Sequence, residues 1–340
     1  MNSLRAEDLW VILTAVLTNV ACGTLGCFLV LRRMSLLGDA ISHAILPGLA
    51  LAFIVSGSRA TIPMLIGAMI LGVLTSFFSA SLNRWGKVPE DAAMGVVFTS
   101  LFALGVILIS VVASDVDLDP GCVLYGLIEF VPLDTVPVFG AEIPRATLVL
   151  GFICALVLSL VAVFFKEVRI VSFDPALATT MGINATLVHY GLMAAVAGTA
   201  VASFEAVGSI LVVAMLIAPG ATAHLLTDRL NRTVLLAMFL GTTAAIFGYL
   251  LALHWNTSVA GMISVVAMFQ FFLALFFAPQ HGWISRKLTQ LRLRIRILSE
   301  DILGILYRLI EAGRVSVSRK DLATALGGGA FYQLVLWSLE

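Results

Sequence analysis

The chain has 340 residues, 60% of them hydrophobic and only 12% charged, where a soluble domain carries about a quarter charged residues. Its 20 Lys/Arg and 20 Asp/Glu cancel, and its four cysteines form no C-x-x-C pair. These facts exclude an ordinary soluble enzyme, a net field that would draw in nucleic acid, a disulfide framework and a zinc ribbon.

Charge is concentrated at one end. Residues 1–280 hold 26 of the 40 charges and the last sixty hold 14, nine of them basic. The chain therefore reads as a membrane domain over 1–280 followed by a polar, helical tail over 281–340.

A helix needs about 20 mostly apolar residues to cross the hydrocarbon. Nine stretches qualify, at 9–31, 40–56, 62–82, 93–113, 147–165, 187–203, 206–222, 233–253 and 257–278. The second, sixth and seventh are short or carry polar groups, so eight spans stay open as an alternative. The first is followed by Arg32-Arg33 and not by a small-residue cleavage site, which makes it a retained span. Nine spans put the termini on opposite sides. With the tail in the cytoplasm and the N-terminus outside, the inside loops hold Arg32, Arg33, Arg84, Lys87, Lys166, Arg169, Arg229 and Arg232. The outside loops then hold only Arg5, Arg59 and Arg145, as the positive-inside rule asks.

Just after the first span, Asp39 and His43 are four residues apart, so a helix stacks them on one face. A carboxylate and an imidazole one turn apart suit Mn²⁺, Zn²⁺ or Fe²⁺, and ionisable groups in a span mark pathways by default. A structural Asp–His hydrogen bond at a helix entrance explains the spacing equally well. Between the fourth and fifth spans, residues 114–146 carry Asp115, Asp117, Asp119, Glu129, Asp134 and Glu142. This is either an acidic lid that favours cations or an ordinary polar loop.

Between the fifth and sixth spans, Asp174 suits an N-cap, Pro175 the first helical position and Gly182 a C-terminal cap, which predicts a helix of about two turns. Outside the membrane such a helix is either a rigid pawl or a connector. Farther on, Glu205 lies between two short apolar runs, and Pro219-Gly220 is expected to break the next helix. Interrupted helices with a lone acid line transport pathways, so Glu205 reads as a cation ligand, a gate residue or an interfacial acid. His189 and His224 are lone histidines near the inner boundary, where a structural role is the commoner one. Small-residue runs, Gly198-Thr199-Ala200 and Gly241 to Ala245, predict close helix packing.

In the tail, Arg286 to Ile297 mixes bases with aliphatics as a juxtamembrane helix against anionic lipid would. Beyond it a first short helix is expected from Ser299-Glu300-Asp301 to Ile310, Ser318 can cap a second over Arg319 to Leu326, and Phe331 to Leu339 forms a third. Three such helices resemble the start of the helix-turn-helix domain of metal-dependent repressors. The chain offers no β wing and no dense basic face, so nucleic-acid binding is not expected. A solubilising tail and a fused regulatory module both remain. The phosphate-loop pattern G-x-x-x-x-G-K-[ST] is missing, so the chain is read as having no ATPase site.

Ser35-Leu36-Leu37-Gly38-Asp39-Ala40-Ile41-Ser42-His43-Ala44 resembles the hallmark segment of the permease subunits of zinc, manganese and iron ABC importers. Phe173 to Ile183 and Phe204 to Ala223 resemble two further segments of that family in the same order, and the likeness runs from about Leu9 to Pro279. The resemblance implies an all-α, polytopic bundle of the type II ABC importer kind in a bacterial inner membrane. It implies a divalent metal ion as substrate and no catalytic or cofactor site in this chain. ATP would be used by a cytoplasmic ABC ATPase, metal delivered by an external metal-binding protein, and the pathway completed by a second permease subunit, identical or paralogous.

On this likeness Asp39 and His43 lie nearest the ion, with Glu205, His189 and His224 as lesser metal candidates. Asp174, Pro175, Ala178 and Gly182 build the coupling helix that docks in the ATPase. The residues alone leave two rivals: a stand-alone proton-coupled carrier using Asp39, His43 and Glu205, and a metal-sensing membrane protein whose tail signals.

Overall fold

In lipid an apolar run has only itself to satisfy its backbone N–H and C=O groups, and a helix does so completely. The computed structural model describes residues 6–34, 36–57, 61–112, 128–138, 141–279 and 281–311. Among these are nine predominantly apolar helices with candidate spans of 18 to 26 residues, long enough to cross a membrane.

In chain order the elements are α1 (Ala6–Leu31), α2 (Leu36–Ser56), α3 (Thr61–Gly86), α4 (Glu90–Val112), a 3-10 turn (Ile128–Leu133), β1 (Thr135–Val138), β2 (Ala141–Pro144) and α5 (Arg145–Val163). They continue with α6 (Phe165–Phe173), α7 (Pro175–Thr180), α8 (Ala185–Val207), α9 (Ser209–Leu226), α10 (Leu230–Trp255), α11 (Val259–Phe277) and α12 (Trp283–Glu311). The chain forms two compact units, Met1–Ala274 and Leu275–Glu340.

In the first unit α1 is the central helix, with 72% of its apolar window buried against 17% for α4. It packs on α9, α10, α5 and α8, while α2 is clasped by α3 and α4. Polar residues are tolerated at the centre because they bond locally. Thr18 and Thr24 each donate to the carbonyl four residues back, at 2.8 and 2.6 Å, and the Thr14 and Thr147 hydroxyls share a 2.7 Å bond between α1 and α5.

Close approach, not hydrophobicity, joins helices in lipid. A Cβ on Gly26 would lie 1.7 Å from the Leu216 carbonyl oxygen of α9, and one on Gly48 2.6 Å from the Gly67 oxygen of α3. Only glycine permits these crossings. The small-residue runs also pack closely, Gly198 against Met69 and Gly241 against Asn19.

Four sequence expectations change. Helix α8 continues to Val207 and the turn falls at Gly208, whose φ of 80° needs glycine. Glu205 thus sits in the last turn of α8 and not between two runs. Pro219 does not break α9, which runs on to Leu226. Its ring lies beside Gly23 and the adjacent Gly220 beside Gly26 and Cys27 of α1, so helix packing offsets the one backbone bond a proline removes. Residues 166–173, read as part of an inside loop, lie in α6, held by buried Val168 and Val171.

The first two helical stretches expected in the tail, 286–297 and 299–310, are one 29-residue helix, α12. Ser299 donates to the Ile295 carbonyl and Arg296 pairs with Glu300 at 3.0 Å, contacts that continue one helix where a second stretch was expected to begin. The helices expected at 319–326 and 331–339 lie outside the described residues. In the acidic segment, β1 and β2 pair antiparallel from Thr135↔Pro144 to Val138↔Ala141, and Glu129 Oε1 accepts from the Val259 N–H at the start of α11, 2.9 Å away.

Candidate functional site

The turn between α1 and α2 positions the Asp39–His43 pair. Arg33 adopts φ 58°, and the Arg33 and Met34 N–H groups bond the Val30 and Leu29 carbonyls at 3.1 and 3.0 Å. This Schellman closure satisfies the end of α1 and lets the chain reverse into α2. Asp39 then lies in the first turn of α2, where the helix dipole favours a carboxylate.

His43 Nε2 stands 3.6 Å from Asp39 Oδ1, with the two side chains 37% and 48% exposed. Donors each about 2.1 Å from a tetrahedral ion stand roughly 3.4 Å apart, so the pair needs little adjustment to share one. The imidazole is steered by α4: it stacks on Phe98 with ring centroids 5.8 Å apart and meets the edge of Phe102 at 5.7 Å. Among the described residues no group of three His, Cys, Asp or Glu side chains converges as a metal cluster. A two-donor shell suits an ion in passage better than a resident one, since tight coordination would prevent release.

His189 has a different environment. Arg32 Nη1 donates to its Nδ1 at 3.1 Å, and Arg32 Nε donates to Ser172 Oγ at 3.1 Å. Guanidinium is a donor only, so the Nδ1 lone pair is already used. Burial pushes Arg32 down to about 10, which leaves it a cation at neutral pH. Tyr190 meets the His189 ring edge-on at 5.3 Å. His224 is exposed in the last turn of α9. The side chain of Glu205 lies outside the described residues.

The short helix α7 is built as its sequence indicates. Asp174 Oδ1 accepts from the Ala176 and Leu177 N–H groups, both at 3.0 Å, and Pro175 occupies the first position. Gly182, at φ 83°, closes the other end as Gly182 N–H bonds the Thr179 carbonyl and Ile183 N–H the Ala178 carbonyl. Ala178 is fully buried, while Phe173, Leu177 and Met181 are 63%, 51% and 55% exposed. The result is a rigid, doubly capped knob with an apolar tip, its six helical residues close to the two turns expected.

The ABC 3 transport family matches residues 8–278 of this chain. The chain belongs to that family. It is 46% identical to a manganese transport system membrane protein of Bacillus subtilis (strain 168), over 84% of this chain and 97% of that one. It is 42% identical to a zinc transport system membrane protein of Treponema pallidum (strain Nichols), over 84% and 78%. Among solved structures it resembles PsaBC from Streptococcus pneumoniae in complex with Fab, with a TM-score of 0.69 and 34% identity over 83% of this chain and 96% of that one.

Membership makes this chain a multi-pass membrane permease component of an ABC transport system. Helix α12 lies beyond the residues that the ABC 3 family matches. Within this permease, the sequence reading missed Phe98 and Phe102, whose one-turn spacing in an otherwise aliphatic span was the available signal. It also missed the apolar tip of α7, signalled by Phe173, Leu177 and Met181 at steps of four. The Arg32–His189 contact joins residues 157 apart, and no local pattern announces it.

Proposed function

We propose that this permease carries Mn²⁺, Zn²⁺ or Fe²⁺ inward across a bacterial inner membrane by alternating access, with its N-terminus outside and its C-terminus in the cytoplasm. A separate cytoplasmic ABC ATPase supplies the energy, an external metal-binding protein delivers the ion, and a second permease subunit, identical or paralogous, completes the pathway. Residues 1–280 form the permease domain and 281–340 a tail. The observation that carries the reading is the Asp39–His43 pair, 3.6 Å apart and half-exposed, with hard and borderline donors that suit these ions.

The capped α7 acts as the coupling helix. Its exposed Phe173, Leu177 and Met181 give an ATPase cleft something apolar to grip, and its two caps transmit displacement without fraying. Zinc and manganese in the relatives' names support the substrate class and do not choose within it.

The test is uptake of each metal into proteoliposomes, with ATPase, binding protein and ATP added or omitted. Flux only with all three is expected, and flux without the ATPase overturns the reading in favour of a stand-alone carrier. Ala178→Pro is expected to leave ATP hydrolysis running without transport. Unaltered coupling in that variant removes the assignment of α7.

A further inference from the structure

Six apolar residues of α12 recur at alternating steps of four and three, Ile284, Leu288, Leu291, Ile295, Leu298 and Ile302, while Leu293 and Ile297 stand on the opposite face. That spacing stacks them along one face of a helix. Ile302 is 2% exposed, but Leu288, Leu291 and Ile295 are 48%, 45% and 41% exposed, so more than two turns of the stripe are uncovered. Lys287 and Arg294 border it on one side and Arg292 on the other. From Trp283 to Ser299 there is no acidic residue, and the first one, Glu300, pairs with Arg296.

Two occupants would cover such a face: a second copy of the helix or a lipid surface. Alternating three–four spacing suits a coiled coil, but parallel pairing of two copies would set Lys287 against Arg292 across the seam, a like-charge contact. A lipid surface takes the same pattern without conflict. The apolar stripe enters among the acyl chains, and the bordering bases extend their alkyl stems along it to reach phosphates. Only residues 278–282 separate α12 from the end of α11, a tether of about 20 Å at full stretch. Trp283 opens the helix, with Lys287 Nζ 5.9 Å from its ring centroid, and Trp is a residue of membrane–water interfaces.

We infer that α12 is an interfacial helix that binds an anionic lipid surface through Leu288, Leu291 and Ile295, with Lys287, Arg292 and Arg294 on phosphate headgroups. This rests on the membrane reading above, with the tail on the side rich in basic loops, where the surface potential is negative. It concerns a segment outside the family match, so it can fail while the transport reading stands.

The test uses the full chain with its native cysteines replaced, spin-labelled in turn at Leu288→Cys, Leu291→Cys, Ile295→Cys and, on the far face, Thr289→Cys. It is reconstituted in vesicles of phosphatidylcholine alone or mixed with phosphatidylglycerol, and metal uptake is measured in the same preparations. The expected result is that oxygen reaches the first three labels better than a polar relaxant does, more so with phosphatidylglycerol, with the reverse at Thr289. The triple variant Lys287→Gln/Arg292→Gln/Arg294→Gln should abolish the gain from phosphatidylglycerol. Water-exposed labels on all faces in the anionic vesicles, or spin–spin coupling between labels on two chains, would overturn the proposal.

Discussion

His43 and His189 both lie within two turns of a helix start on the same side of the first unit, yet the fold gives them opposite chemistry. His43 has a carboxylate one turn away at 3.6 Å and aromatic rings on its flanks. His189 has a guanidinium bonded to its Nδ1. On the proposed reading the first imidazole, with a carboxylate beside it, is the one suited to a divalent cation. The second has spent a lone pair on a cation, which repels one. In that proposal the partner one turn or one helix away separates a ligand histidine from a bracing one.

The contrast is tested most strongly through the carboxylate. Asp39→Asn keeps shape and removes charge, and uptake should fall by more than the roughly 10–100-fold that loss of an outer-shell partner costs a metal site, with unchanged amounts of protein in the membrane. A fall no larger than that seen at unrelated surface acids would erase the distinction. Next in size, His189→Leu leaves Nη1 of the half-buried Arg32 without its acceptor. It should cost about 1–3 kcal/mol of stability, read as a lower Tm in detergent, with uptake per folded molecule unchanged and Tm restored by His189→Gln. Smallest is Phe98→Leu, which loosens the imidazole's stacking. A loss of about 0.5–1.5 kcal/mol should raise the metal concentration for half-maximal uptake roughly two- to tenfold.

Local periodicity and capping carried much of this molecule into view. Nine apolar runs became nine helices among the described residues, because a span must satisfy its backbone internally. Asp174, Pro175 and Gly182 marked α7 because each meets a local geometric demand that few other residues meet. The Asp39–His43 pairing was legible for the same reason, being a one-turn contact.

What stayed hidden was set by contacts distant in sequence. Pro219 looked like a break, and packing on α1 keeps α9 whole. Glu205 looked like the interruption, and the backbone turns three residues later at Gly208, where a positive φ is cheap. The His43 environment depends on α4, and that of His189 on Arg32 at the end of α1. In the tail, Ser299 read as a start signal, but its hydroxyl bonds the carbonyl four residues back within an unbroken helix. The same residue type serves either purpose, and only the continuous apolar stripe distinguishes them.

The most direct test of the central claim sets His43→Ala beside His189→Gln in the same proteoliposomes with ATPase, binding protein and ATP, measuring uptake of Mn²⁺, Zn²⁺ and Fe²⁺. Uptake abolished in the first and retained in the second, with both proteins inserted and hydrolysing ATP, is the predicted result. Retained uptake in His43→Ala, or equal loss in both, would contradict the assignment of the pathway to the Asp39–His43 pair.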